Sequence, residues 1–261
     1  MKKIIIVIFL ISNIGFSQSN LKKAKSNLSS RTYNASSVSS STSSYDDNSS
    51  TNFFGELFIN LLAFVTYKAA LGNLEQRHFT PYPYYYSNVN GEYDFGMEKE
   101  DNKSIVSIGG NYLFGNAVNA IEANINWRFI PFLGVDLTHN RFFEKGLGGS
   151  DQLDVTSFMV NYYRIRERHV TGWWGIGVTN VGNEVNSLGF SYNLGIEVYP
   201  FNPMSIHLSY KQSFINQSHI NIMKFQAKYH IKKKSVYAGY HDISLGGVKV
   251  SGPVIGAEFR F

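Results

Sequence analysis

From about residue 103 to its last residue the chain alternates large apolar with small or polar side chains, in ten separate runs. Side chains of an extended strand point alternately to opposite faces, so each run sorts into a greasy face and a polar one. The runs cover 104–114, 118–129, 131–142, 153–164, 169–180, 187–199, 203–214, 218–230, 234–243 and 249–261. In the second, Ile121, Ala123, Ile125 and Trp127 oppose Glu122, Asn124, Asn126 and Arg128; in the sixth, Phe190, Tyr192, Leu194, Ile196 and Val198 oppose Ser191, Asn193, Gly195 and Glu197. Most runs are about ten residues or slightly longer, the length a tilted strand needs to cross a bilayer. Their even number predicts an all-β fold, an antiparallel up-and-down transmembrane β-barrel of about ten strands over 103–261.

Alternation alone does not say which face points inward, because soluble and membrane barrels invert the arrangement. The composition of the polar face decides. It is rich in Gly, Ser and Asn with a sign-balanced set of charges, whereas water-facing surfaces are dense in Lys and Glu. Charged residues make up only 16% of the chain, against about 25% in soluble domains, which fits an exterior that does not face water. The inward set then contains Glu122, Asp136, Glu197 and Glu258 against Arg128, Lys211, Lys224, Lys228 and Arg260, together with His207. Buried charges persist when paired, so these residues predict an internal ion-pair network. Simple hairpins place Glu258 opposite Ser235 and within a strand of Lys228 and His230. Ten strands lie near the narrow end of the barrel series, where side chains fill the interior and leave at most a thin water path.

The last run sets Pro253, Ile255, Ala257, Phe259 and Phe261 on one face against Val254, Gly256, Glu258 and Arg260. This alternation ending on an aromatic residue resembles the closing strand of Gram-negative outer-membrane β-barrels. The resemblance implies that Phe259 and Phe261 form the signal read by the outer-membrane assembly machinery, and that outer-membrane lipid surrounds the protein. Residues 1–17 have the layout of a secretory signal peptide: Lys2 and Lys3, an apolar run from Ile4 to Ile11, then small residues. The resulting expectation is an outer-membrane location with N-terminus and C-terminus both periplasmic. The connections near 130–131, 164–169, 200–203 and 231–234 become periplasmic turns. Trp127, Phe129, Tyr162, Tyr163, Tyr199, Phe201, Tyr229 and Phe259 lie beside them as an aromatic girdle.

Ahead of the barrel, 18–52 is dominated by Ser, Asn and Thr and reads as a disordered linker. Residues 53–72 form an almost continuous apolar stretch, predicted as one helix. Phe53, Phe54, Leu57, Phe58, Leu61 and Leu62 make it either a prop for the barrel or a docking helix for another outer-membrane or periplasmic protein. The Pro/Tyr-rich connector 73–102 is extended or turn-like.

Candidate chemistry is sparse. There is no cysteine, which excludes thiol catalysis, disulfides and lipid attachment through an N-terminal cysteine. The net charge of +5 falls by two once Lys2 and Lys3 leave with the leader, and no basic stripe points to nucleic acid. The seven histidines show no metal-ligand spacing, and no cofactor is indicated. His207-Leu208-Ser209, with Glu197 on the preceding strand, resembles the His-x-Ser pair of small barrels that deacylate lipid A. That pair faces lipid, however, whereas parity puts His207 and Ser209 in the lumen. The sequence therefore favours a structural or partner-binding barrel that is not an enzyme. The alternatives are a narrow channel for ions or small solutes and, below that, a lipid-modifying enzyme.

Overall fold

The computed structural model describes residues 19–30, 78–86, 89–94, 104–146 and 149–261. Ten of its strands close into one antiparallel barrel: β3 (Ile105–Leu113), β4 (Val118–Ile130), β5 (Leu133–Gly146), β6 (Gly149–Arg166), β7 (Val170–Val181), β8 (Ser187–Phe201), β9 (Met204–Ile215), β10 (Ser218–Ile231), β11 (Lys234–Leu245) and β12 (Val248–Arg260). Each strand pairs with its sequence neighbours, and β12 returns to β3. The two remaining strands, β1 (His78–Phe79) and β2 (Tyr93–Asp94), form a separate small sheet. A short helix, α1 (Asn20–Ser29), precedes them all.

The ten predicted runs correspond one to one with the barrel strands, and the faces fall as parity requires. Ile176, Phe225 and Ile255 point outward and are 52%, 51% and 56% exposed, while Thr179, Gln226 and Arg260 point inward and are buried. Tyr163 and Tyr199 depart from the predicted girdle: both are buried in the lumen. Tyr162 and Tyr163 are adjacent on one strand and take opposite faces, so only one of them can look outward. Trp127, Phe201, Tyr229 and Phe259 do face outward at that end.

Two segments differ from expectation. The segment left between the third and fourth predicted runs, 143–152, is mostly strand, because β5 and β6 continue their pairing to Gly146 and Gly149. Arg141 supports this extension by clasping Asp154 on the facing strand through two hydrogen bonds of 2.8 and 3.1 Å. Within the predicted linker, residues 20–29 are helical rather than irregular. Ten residues are too few for a stable isolated helix in water, so α1 owes its form to docking. Leu21, Ala24 and Leu28 lie on one side of it and are fully buried. The apolar helix predicted over 53–72 lies outside the described residues.

A polar lumen covered at both mouths

The inward faces of the strands stack into three layers. At one mouth the layer is apolar: Leu113, Phe142, Leu153, Val155, Ile215, Ile220, Ile222, Ile243 and Leu245 are all buried there, and Leu21, Ala24 and Leu28 of α1 pack into the same cluster. The helix lies across this mouth. Its N-terminal end rests on β5 and β6, and its C-terminal end reaches the β9–β10 and β11–β12 turns.

Polar contacts fix both ends of α1. Glu144 accepts from Ser19 Oγ (2.7 Å), Asn20 Nδ2 (3.2 Å) and the Leu21 amide (2.9 Å), and so caps the helix with a negative charge where its dipole is positive. Lys25 pairs with Asp151 and lies 3.6 Å from Glu184. Glu144 and Asp151 stand directly opposite each other in the β5–β6 register, an arrangement that two carboxylates alone would disfavour. The docked helix supplies the amide donors and the ammonium that compensate them. At the other end Asn216 Nδ2 donates to the Leu28 carbonyl at 2.5 Å and Asn27 Nδ2 to the Gly246 carbonyl at 2.8 Å. Gly246 and Gly247 both have positive φ, 57° and 84°, the backbone of a two-residue hairpin turn.

The middle layer holds the predicted charges. Lys224 Nζ donates to both oxygens of Glu122 at 2.5 and 2.6 Å, and Asn111 Nδ2 donates to the same carboxylate at 3.0 Å. Lys228 joins Glu197 (3.2 Å) to Glu258 (3.3 Å), and Glu258 stands opposite Ser235 as the hairpin reading requires. Asp136 accepts from Thr138 Oγ1 at 2.7 Å. Lys211 donates to Ser157 Oγ at 2.8 Å, beside a hydroxyl cluster of Ser157, Thr179, Ser191 and Ser213. A cavity of about 150 Å³ remains among these groups, touching Lys211, Asn193, Trp173 and His207 and reaching Ile222 of the apolar ring.

His207, Ser209 and Glu197 do come together: His207 Nδ1 is 3.3 Å from a Glu197 oxygen and its Nε2 is 3.1 Å from Ser209 Oγ. The order is that of a nucleophile, base and acid, but the same Glu197 also receives Lys228 and the Ser205 hydroxyl. The pair faces the lumen, with Ile206 and Leu208 on the outer face of that strand. The grouping therefore reads as one knot in the lumenal hydrogen-bond network, out of reach of an acyl chain in the bilayer.

The second mouth is covered by 78–86 and 89–94. Arg128 Nη1 donates to Glu92 Oε2 at 2.7 Å, and Arg260 donates to the other oxygen of the same carboxylate. Burial would raise the Glu92 pKa, but the two guanidinium groups prevail and hold it at about 2, against an ordinary 4.5. Phe79, Tyr93 and Ile105 form a small apolar cluster beside it, and Tyr93 donates to the Pro131 carbonyl at 3.0 Å. Tyr84 donates to the carbonyls of Phe201 and Met204, and the Gly91 amide to that of Arg168 at 2.8 Å. Sequence reasoning identified Arg128 and Arg260 but missed Glu92, their shared partner, because it lies outside every strand.

No protein-family model matches the chain, and no curated protein matches it. Among solved structures the barrel is similar to the N-terminal β-barrel domain of Pseudomonas aeruginosa OprF, at 10% identity over 61% of this chain and 98% of that one, with a TM-score of 0.31. It is similar also to the Yersinia pestis outer membrane protein Ail, at 15% identity, 60% and 98% coverage and a TM-score of 0.34. The KdgM porin gives 11% identity, 59% and 99% coverage and a TM-score of 0.36. Small outer-membrane β-barrels are thus this chain's structural neighbours; the likeness is one of fold and transfers no activity.

Proposed function

We propose that this chain is an integral outer-membrane barrel, closed to free passage by its own N-terminal segments, whose role is structural or partner-binding. The exterior supports the membrane part, since bulky apolar groups ring the strands while ions and amides fill the axis. One observation carries the closed part: α1 covers one mouth and the Glu92 segment the other, over an ion-paired interior. A covered lumen leaves recognition to the exterior and to what the N-terminal region presents. Purified protein in planar bilayers tests this directly. The expected result is no stable unit current; steady unit currents from the unmodified chain would overturn it.

A second reading, a gated narrow conduit, is favoured by the polar cavity that remains between the two covers. It predicts that the unmodified chain is silent and that a Leu21→Asp/Leu28→Asp variant conducts. Silence from both would leave the closed barrel as the account.

A further inference from the structure

The apolar ring beneath α1 is built mostly by the barrel wall. Among the described residues α1 contributes Leu21, Ala24 and Leu28 to it, while the wall presents more than ten buried aliphatic and aromatic side chains from nearly every strand. If α1 lifts, that wall is apolar surface that water wets poorly and an alkyl chain covers well. Directly below lies an ammonium suited to a headgroup. Lys211 follows Ile215 down the inner face of β9, as Ser157 follows Val155 on β6. Lys224 and Lys228 are held by carboxylates, whereas Lys211 donates to the Ser157 hydroxyl, and among the described residues it forms no ion pair. The cavity it faces is bordered by Ile222 of the ring, so ring and ammonium meet at that side chain.

We propose that the mouth under α1 is a binding site for a single-chain alkyl carboxylate, with the chain in the apolar ring and the carboxylate at Lys211, and that α1 is its intramolecular competitor. This inference rests on the closed-barrel reading, but the two are measured separately: one by current, the other by ligand retention. A long aliphatic tail satisfies the ring as the three α1 side chains do. The carboxylate gives Lys211 a charged acceptor in place of a hydroxyl, a stronger hydrogen bond in a water-poor site.

A reversible lock provides the test. A Cβ built on Gly246 would lie 3.1 Å from Asn27 Cβ, a few tenths of an ångström inside the roughly 3.5–4.5 Å that disulfides span, so the turn at Gly246 must give slightly to close the bond, and the chain has no cysteine of its own to interfere. Full-length protein carrying Asn27→Cys and Gly246→Cys is placed in nanodiscs with radiolabelled dodecanoate, and empty discs serve as the blank. Retention in the reduced state that falls at least tenfold on oxidation is the expected result. Equal retention in both states, or none above the blank in either, would overturn the proposal. A second arm uses Leu21→Asp/Leu28→Asp, checked for a folded barrel by mobility of the unheated protein. This variant should bind dodecanoate about tenfold more tightly than the unmodified chain. Adding Lys211→Met should remove most of that gain for dodecanoate yet leave dodecanol binding within twofold. Loss of both ligands together would show that Lys211 does not read the carboxylate.

Discussion

Glu92 sits where one carboxylate joins strands on either side of the barrel seam. β12 meets β3 over 254–260 against 107–113, a shorter pairing than β11 makes with β12. Arg260 comes from β12 and Arg128 from β4, so Glu92 clasps the two strands that flank β3. Removing one member of a buried charge cluster leaves the others uncompensated, at a cost of about 3–5 kcal/mol. Glu92→Gln is accordingly expected to lower the temperature at which unheated and heated mobilities converge, while leaving strand content unchanged. The pH dependence has a definite sign. Because the folded pKa is depressed to about 2, this contribution is present above 4.5 and is lost as pH falls from there towards 2. Thermal midpoints of the native chain should fall across that window more steeply than those of Glu92→Gln, and parallel curves would remove the clasp. Nothing in the sequence marks Glu92, since its importance comes from two arginines 36 and 168 residues away.

Among the elements, the barrel strands were legible because a period of two survives in every run. The inward charges followed from it by parity: Glu122 with Lys224, Glu197 with Lys228, and Lys228 with Glu258 all share the lumen. The apolar layer was less visible. Leu153 and Val155, Ile220 and Ile222, and Ile243 and Leu245 sit on the polar parity near the strand ends, a sign that something apolar meets them inside. That something, α1, was hidden by composition: Leu21, Ala24 and Leu28 keep helical spacing amid Ser, Asn and Lys, and an average over the whole segment dilutes three apolar positions. Burying each leucine contributes about 1.5–3 kcal/mol, enough to hold a helix that could not stand alone. Leu28→Ala should therefore speed amide exchange across 19–30 by at least tenfold and leave β7 and β8 unchanged. Equal acceleration in the barrel strands would mean that α1 is part of one cooperative unit with them.

At the scale of the whole molecule, two covers and an ion-paired core make an object whose mouths are covered by its own chain and whose girth is apolar. Ser19 and Phe261 lie at opposite mouths of the barrel. The apolar ring lines one mouth and the Glu92 clasp the other. What both depend on is that hydrocarbon lies against the bulky face of every strand. Two neighbouring residues report this side by side: Trp174 points outward and is 47% exposed, while Trp173 points into the lumen, packs beside His207 and lines the cavity. The chain has three tryptophans, so Trp127→Phe with Trp173→Phe leaves Trp174 alone, and Trp127→Phe with Trp174→Phe leaves Trp173. Fluorescence of each variant in bilayers of acyl-chain-brominated lipid measures contact with hydrocarbon directly. Strong quenching of Trp174 with little of Trp173 is the predicted result; equal quenching of the two, or the reverse order, would contradict the arrangement on which this account depends.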